Sequence, residues 1–129
     1  WLSSIERCPY SEDPFCRFQI IGLIFTSQEY QVDLALWGHE HAYQRTCAVY
    51  KEECVESGNA TVHVIVGMGG QKHSTSYPPT KPSWLDHFDD KYYGVSRLTA
   101  NSTDLVLEYL ASEDGVPKIN DVVTLTHET

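Results

Sequence analysis

Residues 32–46 read Val-Asp-Leu-Ala-Leu-Trp-Gly-His-Glu-His-Ala-Tyr-Gln-Arg-Thr, and this stretch decides the fold. Its first six residues are largely apolar and end at Gly38, a pattern that predicts a short buried β-strand. The polar residues up to Thr46 are then expected to form the loop that leaves the strand, and Gly38 is expected to let the backbone turn tightly at its start. Because side chains two residues apart in an extended chain point to the same side, His39 and His41 can converge on one metal ion or on two adjacent ions.

The histidine pair does not by itself require a metal, because two close histidines on a surface loop are often only solvated. Its position after a buried strand favours a metal site, since ligands bind at the carboxyl ends of strands in open α/β sheets. A helical zinc-protease site would need histidines four residues apart, and a cupin would need a glutamate where Gln44 and Arg45 stand. We therefore favour a metal site at His39 and His41, with Tyr43 and Arg45 as supporting residues.

The rest of the chain predicts mostly β-structure. Residues 18–30 favour a helix and residues 71–91 favour a proline-rich loop. Gly67-Met68-Gly69-Gly70 predicts a tight turn that lets the backbone approach the metal site, and Asp114-Gly115 indicates a hairpin turn. Further strands are expected at residues 61–66, 92–98, 104–110 and 119–126. Among the other histidines, we expect a structural role for His63 and solvation for His73, His87 and His127.

The charge of the chain limits its partners. With 129 residues and a net charge of −9, the chain is long enough for one domain. An acidic protein is a poor partner for nucleic acid, whose phosphates require lysine and arginine. No apolar run approaches the ~18 residues of a transmembrane helix, so no membrane partner is expected. A phosphate ester would also be repelled unless a bound metal supplied a local positive centre.

The cysteines and two sequons favour a secretory compartment. Four cysteines allow three pairings, and we prefer the sequence-local one. It joins Cys8 to Cys16 and Cys47 to Cys54. The sequons beginning at Asn59 and Asn101 make these residues candidate glycosylation sites. We therefore expect a secreted protein, extracellular or vacuolar, with free thiols in a cytosolic protein as the alternative.

With these motifs in order, the chain resembles the plant-type branch of the purple acid phosphatases, which are calcineurin-like metallophosphoesterases. Residues 32–46 are similar to the family's last metal motif, Gly-His-x-His-x-Tyr-x-Arg after a strand that begins Val-Asp. Residues 62–70 resemble the next strand and glycine loop of that branch. Trp84 and the segment Tyr93-Gly94-Val95 are similar to a later part of the same branch. The resemblance covers residues 30–126.

The resemblance implies a metal-dependent acid phosphatase, a hydrolase of phosphate monoesters. Its cofactor would be a dinuclear centre of Fe(III) with Zn, Mn or Fe(II). By position, His39 would ligate the divalent ion and His41 the ferric ion, while Tyr43 and Arg45 match the motif without being ligands. The implied fold is α/β, the C-terminal half of a four-layer α/β/β/α sandwich. In this chain we expect it mostly as β-strands that form largely one sheet.

The family's upstream ligand motifs are absent from this sequence. Residues 1–129 are therefore expected to be a single partial domain, with residues 1–31 atypical, whose partner is the missing N-terminal half. Two histidines cannot complete a dinuclear centre, which also needs carboxylates, so the chain alone is expected to be inactive. The alternative is a secreted, non-catalytic β-rich module that has lost the chemistry. The family resemblance also allows a homodimer of the full-length protein.

Overall fold

The computed structural model describes residues 26–27, 29–51, 53–74 and 80–126. Helical residues at Thr26, Ser27 and Glu29 precede the first strand, and most of the helix expected over residues 18–30 lies outside the described residues. No helix in the described ranges is long and apolar enough to span a membrane. The strands are β1 (Leu34–Trp37), β2 (Tyr43–Tyr50), β3 (Glu53–Cys54), β4 (Val62–Val66), β5 (Leu85–Asp89), β6 (Gly94–Ala100), β7 (Asp104–Glu113) and β8 (Val116–Thr126).

These strands form two sheets. In the first, which we call the mixed sheet, β1 pairs in parallel with β4, and β4 pairs antiparallel with β2. Strands β3 and β5 also pair with β2, at different positions along it. In the second, which we call the meander sheet, β7 lies between β6 and β8 with antiparallel pairing throughout. The expectation of one main sheet is therefore wrong, because the chain supplies strands to both layers.

The core lies between the two sheets. Strand β7 shows the alternation of a half-buried strand, since Leu107, Tyr109 and Ala111 are buried while the residues between them are less so. Across the sheets, the rings of Tyr43 and Tyr109 stack with their centroids 4.2 Å apart. The buried cluster comprises Tyr43, Ala48, Val62, Val64, Met68, Leu107, Tyr109, Ala111 and Leu125.

A buried ion pair also joins the sheets. The Arg45 guanidinium of β2 donates from Nε to Asp121 Oδ2 at 2.7 Å and from Nη2 to Asp121 Oδ1 at 3.1 Å. Tyr43 Oη donates to the same carboxylate at 2.8 Å. A β-bulge in β8 at Asn120, between Ile119 and Asp121, turns the carboxylate towards β2. We call Tyr43, Arg45 and Asp121 the Asp121 cluster.

Two strands occur where loops were expected. Strand β2 includes Tyr43 to Thr46, and β5 lies inside the expected loop 71–91. Both segments are polar, so they lack the apolar alternation that would predict a strand. In the fold their polar side chains find partners: Arg45 pairs with Asp121, and His87 of β5 donates from Nε2 to Asn120 Oδ1 at 2.8 Å. The expectation that His87 is solvated is therefore wrong.

Strand β1 is present but less buried than predicted. Leu36 is 48% exposed and the preceding Val32 is 37% exposed. Among the described strands, only β4 pairs with β1. The other three residues of β1 are half-buried, and Leu34 packs against the core, so the predicted burial is only partial within the described ranges.

Two local predictions are confirmed. Cys47 and Cys54 form a disulfide, with a Cα–Cα distance of 5.7 Å, that closes the β2–β3 hairpin. Cys8 and Cys16 lie outside the described residues. Asp114 and Gly115 form the two-residue turn between β7 and β8, with φ values of 52° and 78°. Positive φ at both positions is typical of the type I′ turn, whose twist matches that of the strands.

His63 has the structural role that was expected. It lies in β4, is 5% exposed, and accepts a hydrogen bond at Nδ1 from Trp37 Nε1 at 3.1 Å. Indole nitrogen only donates, so Nδ1 of His63 carries no proton. Burial lowers the pKa of His63 to about 4 because the charged imidazolium would lose its hydration.

The Asp121 cluster yields a stability prediction. Burial alone raises the pKa of Asp121, but hydrogen bonds from Arg45 and Tyr43 outweigh it and hold the pKa below its ordinary value. Asp121→Asn should lower the free energy of unfolding by about 3 kcal/mol, because it leaves a largely buried guanidinium without its main partner. Urea unfolding at pH 7 measures the loss. In the wild type, the contribution is full above the carboxyl's ordinary pKa and declines as the pH falls through the lower native value.

The matched control is Glu108→Gln, which removes the carboxylate from the exposed ion pair with Arg97 in the meander sheet. Exposed pairs contribute little to stability, so this variant should unfold close to the wild type. An equal loss in both variants would show that the Asp121 cluster has no special role in joining the sheets.

His63 predicts how stability changes in acid. Below the ordinary pKa near 6.5, the unfolded chain takes up a proton that native His63 does not bind until about pH 4. Stability should therefore fall by about 3 kcal/mol between these values as the pH decreases. His63→Gln, which can still accept from Trp37, should flatten this part of the pH profile of urea unfolding. His39→Gln, which replaces an exposed imidazole, is the control and should retain the slope. An unchanged slope in His63→Gln would contradict the assignment.

Candidate metal centre

The two predicted histidines lie in the short loop between β1 and β2. His39 is exposed and has φ = 81°, a left-handed conformation that residues other than glycine rarely adopt. Gly38 was expected to make the tight turn, but its φ is not positive and a Cβ there would meet open space. The backbone strain therefore falls on the candidate ligand itself and not on the glycine before it.

His41 is fixed by residues 72–74. Its backbone N–H donates to Ser74 Oγ at 3.1 Å, and its carbonyl accepts from Ser74 N–H at 3.2 Å. The same carbonyl accepts from His73 Nδ1 at 3.2 Å. The ring Nδ1 of His41 donates to the Lys72 carbonyl at 2.7 Å. The main chain and the imidazole of His41 are thus both held by one neighbouring segment.

Gly67 permits the approach that brings these segments together. A Cβ on Gly67 would overlap the backbone carbonyl of Glu40, and its N–H donates to the Ala42 carbonyl at 3.1 Å. Only a glycine allows two backbones to pack so closely. The glycine turn after β4 therefore lies against the histidine loop, as the sequence predicted.

The side chains of Tyr43 and Arg45 are directed to Asp121. Their side-chain hydrogen bonds run to Asp121 and, for Arg45, also to Asp86 Oδ2 at 3.0 Å. Burial and the hydrogen bond to Asp121 raise the pKa of Tyr43, so its hydroxyl stays protonated. Support of a metal centre by these two residues stays a prediction, and the structure gives them a sheet-joining role.

The described residues bring together too few donors for a complete metal centre. Two imidazoles are suitable donors for zinc, copper, iron or nickel ions. Within the described ranges, no three His, Cys, Asp or Glu side chains come together as a metal-binding group. His63 is buried in β4, and its Nδ1 already accepts a hydrogen bond from Trp37, so that nitrogen is not available to a metal ion. The described donors thus fit one side of a centre and do not form a whole dinuclear one.

Sequence reasoning missed His73 and Ser74. His73 was expected to be solvated, but it is half-buried and its ring stacks on Tyr93 with centroids 4.3 Å apart. Ser74 had no feature that singled it out. Their position shortly after the predicted glycine turn could have indicated them. A turn that approaches the histidine loop also places the residues that follow it beside that loop.

The chain is similar to known proteins over most of its length. A family model described as iron/zinc purple acid phosphatase-like protein C matches residues 60–121. A nucleotide pyrophosphatase/phosphodiesterase of Hordeum vulgare is 40% identical over 107 residues, which cover 76% of this chain and 28% of that protein. A probable inactive purple acid phosphatase 27 of Arabidopsis thaliana is 36% identical over 110 residues, covering 78% and 17%.

A solved structure shares the fold. The purple acid phosphatase PPD1 from yellow lupin (Lupinus luteus) seeds superposes with a TM-score of 0.72 at 34% identity, covering 81% of this chain and 19% of that one. The chain thus spans less than a third of the length of each of these relatives. The family-model match over residues 60–121 contains the glycine turn after β4 and the hairpin turn between β7 and β8. The chain belongs to the purple acid phosphatase family and represents a C-terminal portion of its members.

Proposed function

We propose that this chain contributes His39 and His41 to the dinuclear metal centre of a phosphatase that hydrolyses phosphate monoesters. The observation that carries the proposal is the loop between β1 and β2, where one histidine is held in a strained backbone and the other is fixed by four hydrogen bonds. The remaining ligands would come from polypeptide outside the described residues. When bound, such a centre polarises the phosphoryl group.

The charge of the chain supports a metal-dependent reaction. A net charge of −9 repels a phosphate ester, so binding needs a local cation at the site. Fe(III) beside Zn, Mn or Fe(II) would reverse the sign of the local field. In this proposal the chain's own residues orient the ligands, and the ions attract the substrate.

The strain at His39 also supports a functional role. A residue in the left-handed region costs about 1–2 kcal/mol relative to glycine. Such conformations cluster at functional sites because the surrounding structure holds a side chain where its chemistry is needed. A purely structural loop would gain stability from glycine at this position.

A second candidate is a non-catalytic module. It is favoured by the lack of a three-ligand group among the described residues and by the name of the Arabidopsis relative, a probable inactive purple acid phosphatase. The reading frame upstream of Trp1 separates the two proposals. Aspartate, tyrosine, asparagine and histidine ligand motifs in frame would support the phosphatase, and unrelated sequence would support the module.

Secretion is part of the proposal. The Cys47–Cys54 disulfide suits an oxidising compartment. Asn59 and Asn101 are both exposed, which an attached glycan requires. Asn101 lies in the turn between β6 and β7, where its side-chain oxygen accepts from the backbone N–H of Thr103 and Asp104. A homodimer of the longer protein remains an expectation from the family.

The metal role can be tested on the 129-residue chain. Titration with Zn²⁺, followed by calorimetry and histidine NMR signals, should show weak saturable binding, because the loop between β1 and β2 supplies two imidazole donors. The double variant His39→Ala, His41→Ala should abolish it. His87→Gln, which removes a histidine of β5 outside the loop between β1 and β2, should bind as the wild type does. Equal binding by the double variant would overturn the assignment of the site.

Hydrolysis is tested with the same set of proteins. With iron and zinc supplied, the chain should release no more p-nitrophenol from p-nitrophenyl phosphate than the double variant does. Turnover well above the double variant would contradict the expectation that the 129-residue chain alone is inactive. Bis(p-nitrophenyl) phosphate is the comparison substrate, since the barley relative is named as a phosphodiesterase.

Strain at His39 is tested by comparing two variants that both lose the imidazole. His39→Gly should be more stable to urea than His39→Ala by about 1 kcal/mol, because only glycine adopts φ = 81° without a steric cost. Part of the gain is offset by the greater freedom of glycine in the unfolded chain. If the alanine variant is as stable as the glycine variant, the loop is not strained at this residue.

A further inference from the structure

The segment 72–74 makes an unusual set of contacts with a single residue. It provides a backbone donor, a backbone acceptor, a hydroxyl acceptor and an imidazole donor, and all four reach His41. None of them is made to the neighbouring His39. We call residues Lys72 to Ser74 the 72–74 clamp.

The clamp determines which ring nitrogen of His41 carries a proton. The contact from Nδ1 to the Lys72 carbonyl is 2.7 Å long, a short hydrogen bond for these atoms. A carbonyl oxygen only accepts, so the proton of this bond belongs to Nδ1. In the neutral ring, Nε2 then holds the lone pair. A metal ion can bind only the nitrogen that is not protonated.

The glycine turn holds the clamp next to the histidine loop. Gly67 packs its backbone against Glu40, and the chain then continues from the glycine turn to Lys72. Ser74 closes the arrangement by a paired contact, in which its N–H donates to the His41 carbonyl and its hydroxyl oxygen accepts from the His41 N–H. Because the Lys72 contact depends on where His41 lies, the Ser74 hydroxyl helps to keep the ring within reach of that carbonyl.

We propose that the 72–74 clamp is a positioning element that holds His41 as its Nδ1-protonated tautomer, so that Nε2 is presented to a metal ion, with Ser74 as the side chain that secures it. The inference rests on the proposed metal role of His41, but the tautomer is a property of the metal-free chain. The proposal gives Ser74 a positioning role, which it performs by holding the backbone of His41. Metal-bound histidines generally gain basicity and orientation from such a hydrogen bond on the other nitrogen.

The test is a long-range ¹H–¹⁵N correlation spectrum of the metal-free 129-residue chain with ¹⁵N-labelled histidine at pH 7.5. The signals of His41 are identified by their loss in His41→Gln. The wild type should show a protonated Nδ1 and an unprotonated Nε2 at His41. Ser74→Ala should give averaged shifts from both tautomers, and Ser74→Thr, which keeps the hydroxyl, should restore the wild-type pattern.

Ser96→Ala is the matched control, because Ser96 Oγ is buried and has no hydrogen-bond partner among the described residues. It should leave the tautomer of His41 unchanged. In a parallel Zn²⁺ titration, Ser74→Ala should weaken binding about tenfold, the effect expected for loss of a group that orients a ligand. Ser74→Thr and Ser96→Ala should retain wild-type affinity.

The outcomes separate the two proposals. A proton on Nε2 of His41 in the wild type overturns the clamp, as does a Ser74→Ala variant that matches the wild type in both spectrum and affinity. The predicted tautomer together with no binding of Zn²⁺ at His41 would support the clamp and contradict the proposed metal role. If Ser74→Ala does not fold, the wild-type spectrum alone still decides the tautomer.

Discussion

The hydrogen-bonded ion pair between Arg45 and Asp121 joins β2 of the mixed sheet to β8 of the meander sheet. Strand β2 carries the histidine loop at its start, pairs with three other strands of the mixed sheet, and reaches the meander sheet through this pair. The same carboxylate accepts from Tyr43, whose ring stacks on Tyr109 of the other layer. A buried charge without its partner is costly, so the two sheets have one strongly preferred alignment. The position of the loop relative to both layers follows from that alignment.

The second constraint is the close approach of two backbones at Gly67. A side chain at this residue would overlap Glu40, so the glycine turn after β4 and the histidine loop can contact each other only because Cβ is absent. From this contact the chain passes to residues 72–74, which hold His41 by its backbone and its ring. The candidate site is thus built by strands and turns that are far apart in sequence. His41 is held in place mainly by hydrogen bonds that involve backbone groups.

The two proposed functions differ in how they explain the incomplete set of metal donors among the described residues. The chain spans 28% of its barley relative, and the described part of it brings together no third ligand beside the histidines. Both proposed functions share this geometry and differ in whether other polypeptide completes it. Among the described non-glycine residues with positive φ, His39 has the largest value, 81°, and the proposed metal role rests in part on this backbone feature. The acidic net charge agrees with a reaction in which bound ions attract the substrate.

Features that depend on local chemistry could be predicted from the sequence. These were the strand at Val62–Val66, the turn at Asp114-Gly115, the Cys47–Cys54 disulfide, the role of His63 and the family. Tertiary structure alone decided the rest. It placed Tyr43 and Arg45 in a strand, because polar side chains satisfied by a distant aspartate leave no apolar alternation in the sequence. The fold also contains a second sheet and brings Ser74 into contact with His41. The left-handed backbone conformation occurs at His39 and not at Gly38. Contacts across more than thirty residues leave no local pattern, so they become visible only when the sheets are assembled.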